Sequence, residues 1–359
     1  MKGWAVMRRI HVDKLKEGMI ISKPIYSSNG IILLSEGVQL SDRYIEKIIG
    51  TGLQHIYIKD ELSSGINDDE IIKEETKIAT KKVLQDSLLK IKSGCFASSD
   101  GIIKQVEGMI REIVANPRVM VSVQEIRNRS DYSLMHAINV SVISCLLGKK
   151  MKYNETQLKH LAIGALFHDL GKVNIKMDCT RYREDYIEQE LNLYKQHTDE
   201  GFEMIQLIPD ASLLSANVAR MHHENFDGTG FPLGLKGDAI HEFARIVAVA
   251  NEYDNLIYNL PFGTSLKHYE IIEVIIAKSF TSFDPKVVRI FANSISPYPL
   301  GSGVILSNNQ IGIVSKINQN FPTRPFIRMV DPDSLKLIEE IDLSTNPSIL
   351  ILDEKDIDK

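Results

Sequence analysis

The chain has 359 residues, with 42 Lys and Arg against 47 Asp and Glu, a formal net charge of -5, 43% hydrophobic and 25% charged residues. That is the composition of a soluble globular protein too long for one core, so two or three domains are expected. The mild acidity argues against a nucleic-acid-binding surface. Three scattered cysteines (Cys95, Cys145, Cys179) argue against a disulfide framework or a paired-cysteine metal site. No apolar run reaches the roughly 18 residues of a membrane span. The first ten residues lack a signal-peptide core, and the expected location is the cytoplasm.

In chain order, residues 1–65 read as a small β-rich unit. Met19-Ile20-Ile21 and Ile31 to Leu34 are short apolar runs, separated by the turn signal Ser27-Ser28-Asn29-Gly30. Ser41 is placed to cap a short helix from Asp42 to Ile49, and His55 to Ile58 reads as a closing strand. His11 and His55 stand alone and are expected to be structural. Residues 61–69 are polar and turn-rich, as in a linker. Residues 66–119 read as a helical connector, with Ile71, Ile72, Ile78, Val83, Leu84, Leu88, Leu89 and Ile91 at three- and four-residue spacing, then a break and a second helix from Ile102 to Val114. This pair is expected to join the front unit to the main domain, or to serve dimerisation or signal transmission.

Residues 120–295 read as helix nearly throughout, with helical spacing in Val123 to Ile126, His136 to Leu147, Gln157 to Leu166 and Phe202 to Ile208. Two breaks stand out, the glycine-rich loop Asn225 to Gly237 and Leu260-Pro261-Phe262-Gly263. From 296 to 359 the chain returns to β-type runs at Val304 to Leu306, Ile311 to Val314, Phe326 to Val330 and Ile349 to Leu352. Asn308-Asn309 and Asp331-Pro332-Asp333 punctuate them.

The helical region gathers metal-ligating side chains: His136, His168, Asp169, His197, His222 and His223. Neutral imidazoles with one carboxylate able to bridge suit Fe, Mn, Zn or Ni. His168-Asp169 ends the apolar run from Leu161 and is followed by Gly171 and Lys172. Adjacent His222 and His223 project about 100 degrees apart on a helix and reach one cluster most easily near a helix end. His160, His241 and His268 have no partner spacing and are read as structural. Glu224 is read as orienting a ligand imidazole, and Glu200 as a salt-bridge residue or an acid beside the ligands.

These residues resemble the HD-GYP family of HD metal-dependent phosphohydrolases. The resemblance is carried by His136, HDLGK at 168–172, His197, HHENFDGTGFP at 222–232, ARIVAVANEYDNL at 244–256 and FDP at 283–285. It implies a mainly α fold, an HD-type helical bundle with small β-rich units at the N- and C-termini. It implies a two-metal centre, Fe or Mn first and Zn or Ni as alternatives, that hydrolyses cyclic di-GMP to pGpG or GMP. Asp169 would bridge the metals, His136 and His168 would hold one, His197 and His222 the other, and His223 would complete the cluster. Asn251 would stand among the ligands, and Lys172 would balance phosphate charge. Asp227, Gly228, Gly230, Phe231, Pro232 and Asp254 would shape the substrate pocket. The loop would also recruit protein partners. Apart from the resemblance, the long helices after residue 69 are expected to form a homodimer.

The sequence departs from the family pattern at Asn251, where an aspartate ligand is usual, at Leu260, where an arginine meets the substrate phosphate, and at Phe231, the place of the signature tyrosine. Tyr132 stands where some members carry a further carboxylate, which points to two metals rather than three. The departures at Asn251 and Leu260 imply a weakened phosphodiesterase. The other readings are a catalytically lapsed regulator that binds nucleotide or protein, and an HD phosphohydrolase acting on another nucleotide.

Overall fold

The structure, a computed structural model, describes residues 7–26, 31–53, 55–66, 71–92, 100–115, 132–177, 179, 186–209, 211–258 and 266–357. The expected turn at Ser27 to Gly30, the helix Val123 to Ile126 and the break Leu260 to Gly263 lie outside the described residues. The chain divides into two compact units. One comprises Met1–Glu70, Arg118–Tyr132 and Asn293–Lys359, and the other Ile71–Pro117 and Ser133–Ala292.

In the first unit, β1 (Arg8–His11), β2 (Ile20–Ile21), β3 (Ile25–Tyr26), β4 (Ile32–Leu34), α1 (Asp42–Gly50) and β5 (His55–Lys59) come from the N-terminal segment. β5 lies between β1 and β2, antiparallel to both, and β3 pairs with β4. Ser41 occupies the N-cap position of α1 in an extended conformation, but its side chain makes no capping hydrogen bond there. From the C-terminal segment come β6 (Gly303–Leu306), β7 (Ile311–Lys316), β8 (Phe326–Val330), β9 (Leu337–Asp342) and β10 (Ile351–Glu354). They form one antiparallel sheet in the order β10-β6-β7-β8-β9. β9 was not expected: it has four exposed residues in succession and no buried face to announce it.

The two terminal β segments, read from sequence as separate appendages, share a core. Met7, Tyr57, Leu62 and Ile66 pack with Val304, Leu306, Ile313, Val314 and Ile327, while Ile56 and Ile58 face a second core with Ile10, Ile21 and Ile48. Successive side chains of β5 point to opposite faces, so a strand buried on both faces needs two partners. Buried Arg8 ties the segments together, its guanidinium 2.6 Å from Asp60 Oδ2 and donating to the Ile357 carbonyl at 2.5 Å. Leu62 and Ile66 therefore belong to a core, and residues 61–66 are not a free linker.

The second unit holds α2 (Glu74–Lys92), α3 (Asp100–Ala115), α4 (Tyr132–Lys150), α5 (Glu155–Leu166), α6 (Glu188–Gln206), α7 (Leu213–Met221), α8 (Glu242–Tyr258), α9 (His268–Ala277) and α10 (Pro285–Ala292). The expected connector helices are part of this unit. Ile72, Leu84, Ile91, Ile102, Val106, Met109 and Ile113 pack in one core with Ile138, Val142, Leu158 and Ile163. That apolar face packs inside the unit. Lys149 closes the end of α3, its ammonium donating to the Ile113 carbonyl at 2.6 Å and the Val114 carbonyl at 3.1 Å. Every residue of α4 from His136 to Gly148 is buried, the mark of a central helix surrounded by others. A capping box between Asn154 and Gln157 starts α5, and Ser212 caps α7 through the Ser215 amide at 3.1 Å. Among the described residues, no helix is long and apolar enough to cross a membrane.

Candidate metal centre

Five elements bring the candidate ligands together. His136 lies one turn into the central helix α4. His168 and Asp169 follow the end of α5, where a 3₁₀ turn over Leu170–Asn174 begins and carries Lys172. His197 is in the middle of α6, and His222 is the C-cap residue of α7 with His223 next. The join between the 3₁₀ turn and α6 is backbone against backbone: a Cβ on Gly171 would lie 2.1 Å from the His197 carbonyl oxygen and 2.7 Å from the Gly201 nitrogen. Glycine permits that approach.

Ligand atoms of Asp169, His197, His222 and His223 lie within 4.8 Å of one another, as do those of His136, His168 and Asp169, so the carboxylate belongs to both groups. Its oxygens divide the work. Oδ2 faces His168 Nε2 at 3.3 Å and His136 Nε2 at 4.0 Å, whereas Oδ1 faces the Nε2 atoms of His197 and His222, each at 3.6 Å. Lys172 Nζ sits 2.6 Å from Oδ2.

Four imidazoles are aimed by the same device. Nδ1 of His168 bonds the Ala165 carbonyl at 2.7 Å, Nδ1 of His222 the Ala219 carbonyl at 2.8 Å, and Nδ1 of His197 the Tyr194 carbonyl. Nδ1 of His136 bonds Asp254 Oδ2 at 2.7 Å, and Asn139 donates to the other Asp254 oxygen at 3.0 Å. A hydrogen bond at Nδ1 fixes the tautomer and turns the Nε2 lone pair inward, as in histidines that hold metals.

Burial pushes the His197 imidazole down to about 3 and His222 to about 4, and lowers His136 despite its bond to Asp254. These rings are neutral at physiological pH, the form that ligates. Burial alone would raise the Asp169 carboxyl, but Lys172 and the flanking imidazoles outweigh it and hold it well below the usual carboxylate range. The fit to a divalent cation follows from the atoms left over. His168 Nε2, Asp169 Oδ1, His197 Nε2 and His222 Nε2 are buried without a hydrogen-bond partner. Buried polar atoms in that state are destabilising unless something meets them, and divalent cations held by the two groups would do so.

The remaining expected residues fall around this cluster. Asp254, expected at the substrate, is completely buried, with its oxygens bonded to His136 and Asn139. Asn251, one turn earlier on α8, accepts from Asn255 Nδ2 at 3.0 Å. Glu224, expected to orient an imidazole, is buried and bonds instead to backbone amides among the described residues. Its oxygens accept from the amides of Leu233 at 2.7 Å and Leu235 at 2.9 Å, which clamps the far side of the glycine-rich loop. Asp227 accepts from the amide and hydroxyl of Thr229, closing a tight turn in which Gly228 has φ of +91. Gly230 lies against backbone, where a Cβ would meet the Asn225 nitrogen at 2.1 Å. Phe231, joined to Pro232 by a cis peptide, stacks on His223 with ring centroids 4.7 Å apart. Arg245 Nη1 and Asp284, 2.8 Å apart, tie α8 to the turn before α10. Tyr194 was missed. Its hydroxyl lies 3.3 Å from His223 Nε2 and its ring 5.2 Å from the Lys172 ammonium. Its place three residues before His197 on one helix face was the available signal.

Residues 113–287 match the HD domain family, and residues 303–358 match the KOW domain associated with HD domain. Among similar curated proteins, the cyclic di-GMP phosphodiesterase PA4108 of Pseudomonas aeruginosa is 26% identical over 209 residues, 58% of this chain and 50% of that protein. The cyclic di-GMP phosphodiesterase PdeB of Borreliella burgdorferi is 27% identical over 223 residues, 61% of this chain and 58% of its own length. The chain thus spans about half the length of these relatives. Bd1817, an HDG"Y"P protein from Bdellovibrio bacteriovorus, shares the fold with a TM-score of 0.54 and 18% identity, over 80% of this chain and 98% of that one. The chain therefore carries an HD domain over residues 113–287, followed by a KOW domain of the kind associated with HD domains, and it is similar to proteins named cyclic di-GMP phosphodiesterases.

Proposed function

We propose that the protein is a divalent-metal-dependent phosphodiesterase that hydrolyses cyclic di-GMP to pGpG or GMP. The observation that carries this reading is Asp169, whose two oxygens face two separate pairs of buried imidazoles. In the proposed assignment His136 and His168 hold one cation, His197 and His222 the second, and His223 adds to the second group. Fe or Mn is the expected metal, with Zn and Ni as alternatives. Bound there, two such cations supply Lewis acidity to the phosphate and a nucleophilic water at neutral pH.

The chain's own residues prepare that chemistry. The carbonyls of Ala165, Ala219 and Tyr194 and the carboxylate of Asp254 hold the rings in the ligating tautomer. Burial keeps the His197 and His222 imidazoles neutral. Lys172 brings a positive charge to the edge of the cluster, where a phosphodiester needs a counter-charge. In the reaction water adds to one phosphorus, the ester bond to a ribose oxygen breaks, and that oxygen leaves with a proton. A second such event converts the linear product to two GMP.

The test is hydrolysis by protein purified without oxygen and loaded with Fe(II) or Mn(II). Nucleotides are resolved by chromatography and metal is counted in the same sample. Two metals per chain with turnover of cyclic di-GMP supports the assignment. Metal confirmed in place with no turnover would defeat it. A panel of other cyclic dinucleotides in the same assay separates substrate choice from catalysis.

A further inference from the structure

We infer that Tyr194 is a positioning residue that fixes His223 for metal binding, supplying from α6 the phenolic hydroxyl that the loop residue Phe231 lacks. The inference rests on the metal-centre reading above. Tyr194 touches the site on several sides at once. Its carbonyl receives Nδ1 of His197, and its ring lies 4.6 Å from that imidazole. The Lys172 ammonium sits 5.2 Å from the ring centroid. The Phe231 ring meets it edge to face at 6.4 Å. Its hydroxyl lies 3.3 Å from His223 Nε2.

His136, His168, His197 and His222 are aimed by a hydrogen bond at Nδ1. For His223 the bond falls on Nε2 and its partner is a phenol. Phe231 lies nearly parallel to the same imidazole, at an interplanar angle of 25 degrees. The stacked ring therefore fixes the plane of His223, and the hydroxyl fixes its rotation within that plane and its tautomer. Tyr194 is itself buried, and its ring also packs 5.5 Å from Tyr186. A purely packing role is the competing account.

Tyr194→Phe separates the two, because it removes one oxygen and keeps every ring contact. The full-length protein is stripped of metal and titrated with Mn(II), and its affinity and the melting temperature of the metal-free form are recorded. Loss of a group that orients a ligand weakens metal binding by about tenfold or more, so Tyr194→Phe is expected to bind Mn(II) about tenfold more weakly with an unchanged metal-free melting temperature. In a His223→Ala background the same change is expected to have no further effect, because the oxygen then has no ligand to hold. Wild-type affinity in Tyr194→Phe overturns the inference, as does the same loss in both backgrounds or a melting temperature that falls with the affinity. A wild-type protein that takes up no Mn(II) overturns this inference together with the function it rests on, whereas those outcomes overturn this one alone.

Discussion

Replacing Gly171 with alanine pushes a methyl group into the backbone of α6. The added carbon would start 2.1 Å from the His197 carbonyl oxygen and 2.7 Å from the Gly201 nitrogen. Carbon and oxygen settle at about 3.3 Å, so the 3₁₀ turn and α6 must separate by about 1 Å. No side chain can yield instead, because both obstructions are main chain. Overpacking of this kind destabilises by about 1–3 kcal/mol. For a unit of this size that lowers the melting temperature by roughly 2–4 °C per kcal/mol. The separation also falls across the cluster, since Lys172 rides on the turn and His197 on α6. The 3.6 Å from Asp169 Oδ1 to His197 Nε2 widens, and a misplacement of about 1 Å costs on the order of a hundredfold in turnover.

Two other glycines calibrate the measurement. At Gly201 the nearest atoms to an added Cβ are 3.3 Å away, so Gly201→Ala should be markedly milder. Around Gly108, in α3, nothing lies within 4 Å, and alanine there should stabilise by up to about 1 kcal/mol through helix propensity. Calorimetry of the metal-free variants and Mn(II) titration of each provide the readings. Gly171→Ala with wild-type melting and wild-type affinity would refute the reasoning, as would three glycines that respond alike.

Asp254→Asn leaves an amide facing both a His136 ring nitrogen and the Asn139 amide. It should weaken metal binding by about 10- to 100-fold, and equal affinity in a titration would show that Asp254 does not act through His136. Asn251→Asp places a carboxylate on the same face of α8 as Asp254 and should raise both metal retention after dialysis and turnover. Unchanged retention would remove Asn251 from the ligand set. The metal-free protein should lose stability on acidification below about pH 6.5. There the unfolded chain binds protons that His197, at about 3, and His222, at about 4, refuse in the folded state. The loss is about 1.4 kcal/mol per pH unit for each ring. Asp169 acts in the same direction but at lower pH, since the stability given by its depressed carboxyl is lost only as pH falls below about 3.8. A melting temperature that stays flat or rises from pH 7 to pH 5 would contradict the burial argument.

The helices and most strands were legible because their apolar spacing is local, and the histidines were legible because each sits in a short motif. What escaped the sequence depends on partners far apart in the chain. Asp254 meets His136 across 118 positions, and nothing local distinguishes a carboxylate that orients a ligand from one that meets a substrate. Glu224 stands beside two histidines, and the sequence offered no reason to prefer the amides of Leu233 and Leu235 as its partners. Tyr194 stands on the same helix as His197, and its contact with His223, 29 positions on, is set by the fold. β9 carries no alternation because neither of its faces is buried, so a pattern-based reading had nothing to detect.

The shared core of the terminal segments has a consequence for how the chain comes to be folded. Arg8 donates to the Ile357 carbonyl and Arg9 pairs with Glu354 at 3.2 Å, so a unit whose first strand is β1 is completed only once residues up to 349 positions later have been synthesised. The helical unit between them has all its residues available earlier and closes largely through neighbouring helices, which favours folding as synthesis proceeds. The histidine cluster thus lies in a segment that falls, in sequence, between the two halves of the β unit, and that unit waits for its second half. A nascent chain released before β10 would carry a finished histidine cluster and an unfinished β unit, with the charge of Arg8 lacking its carbonyl partner.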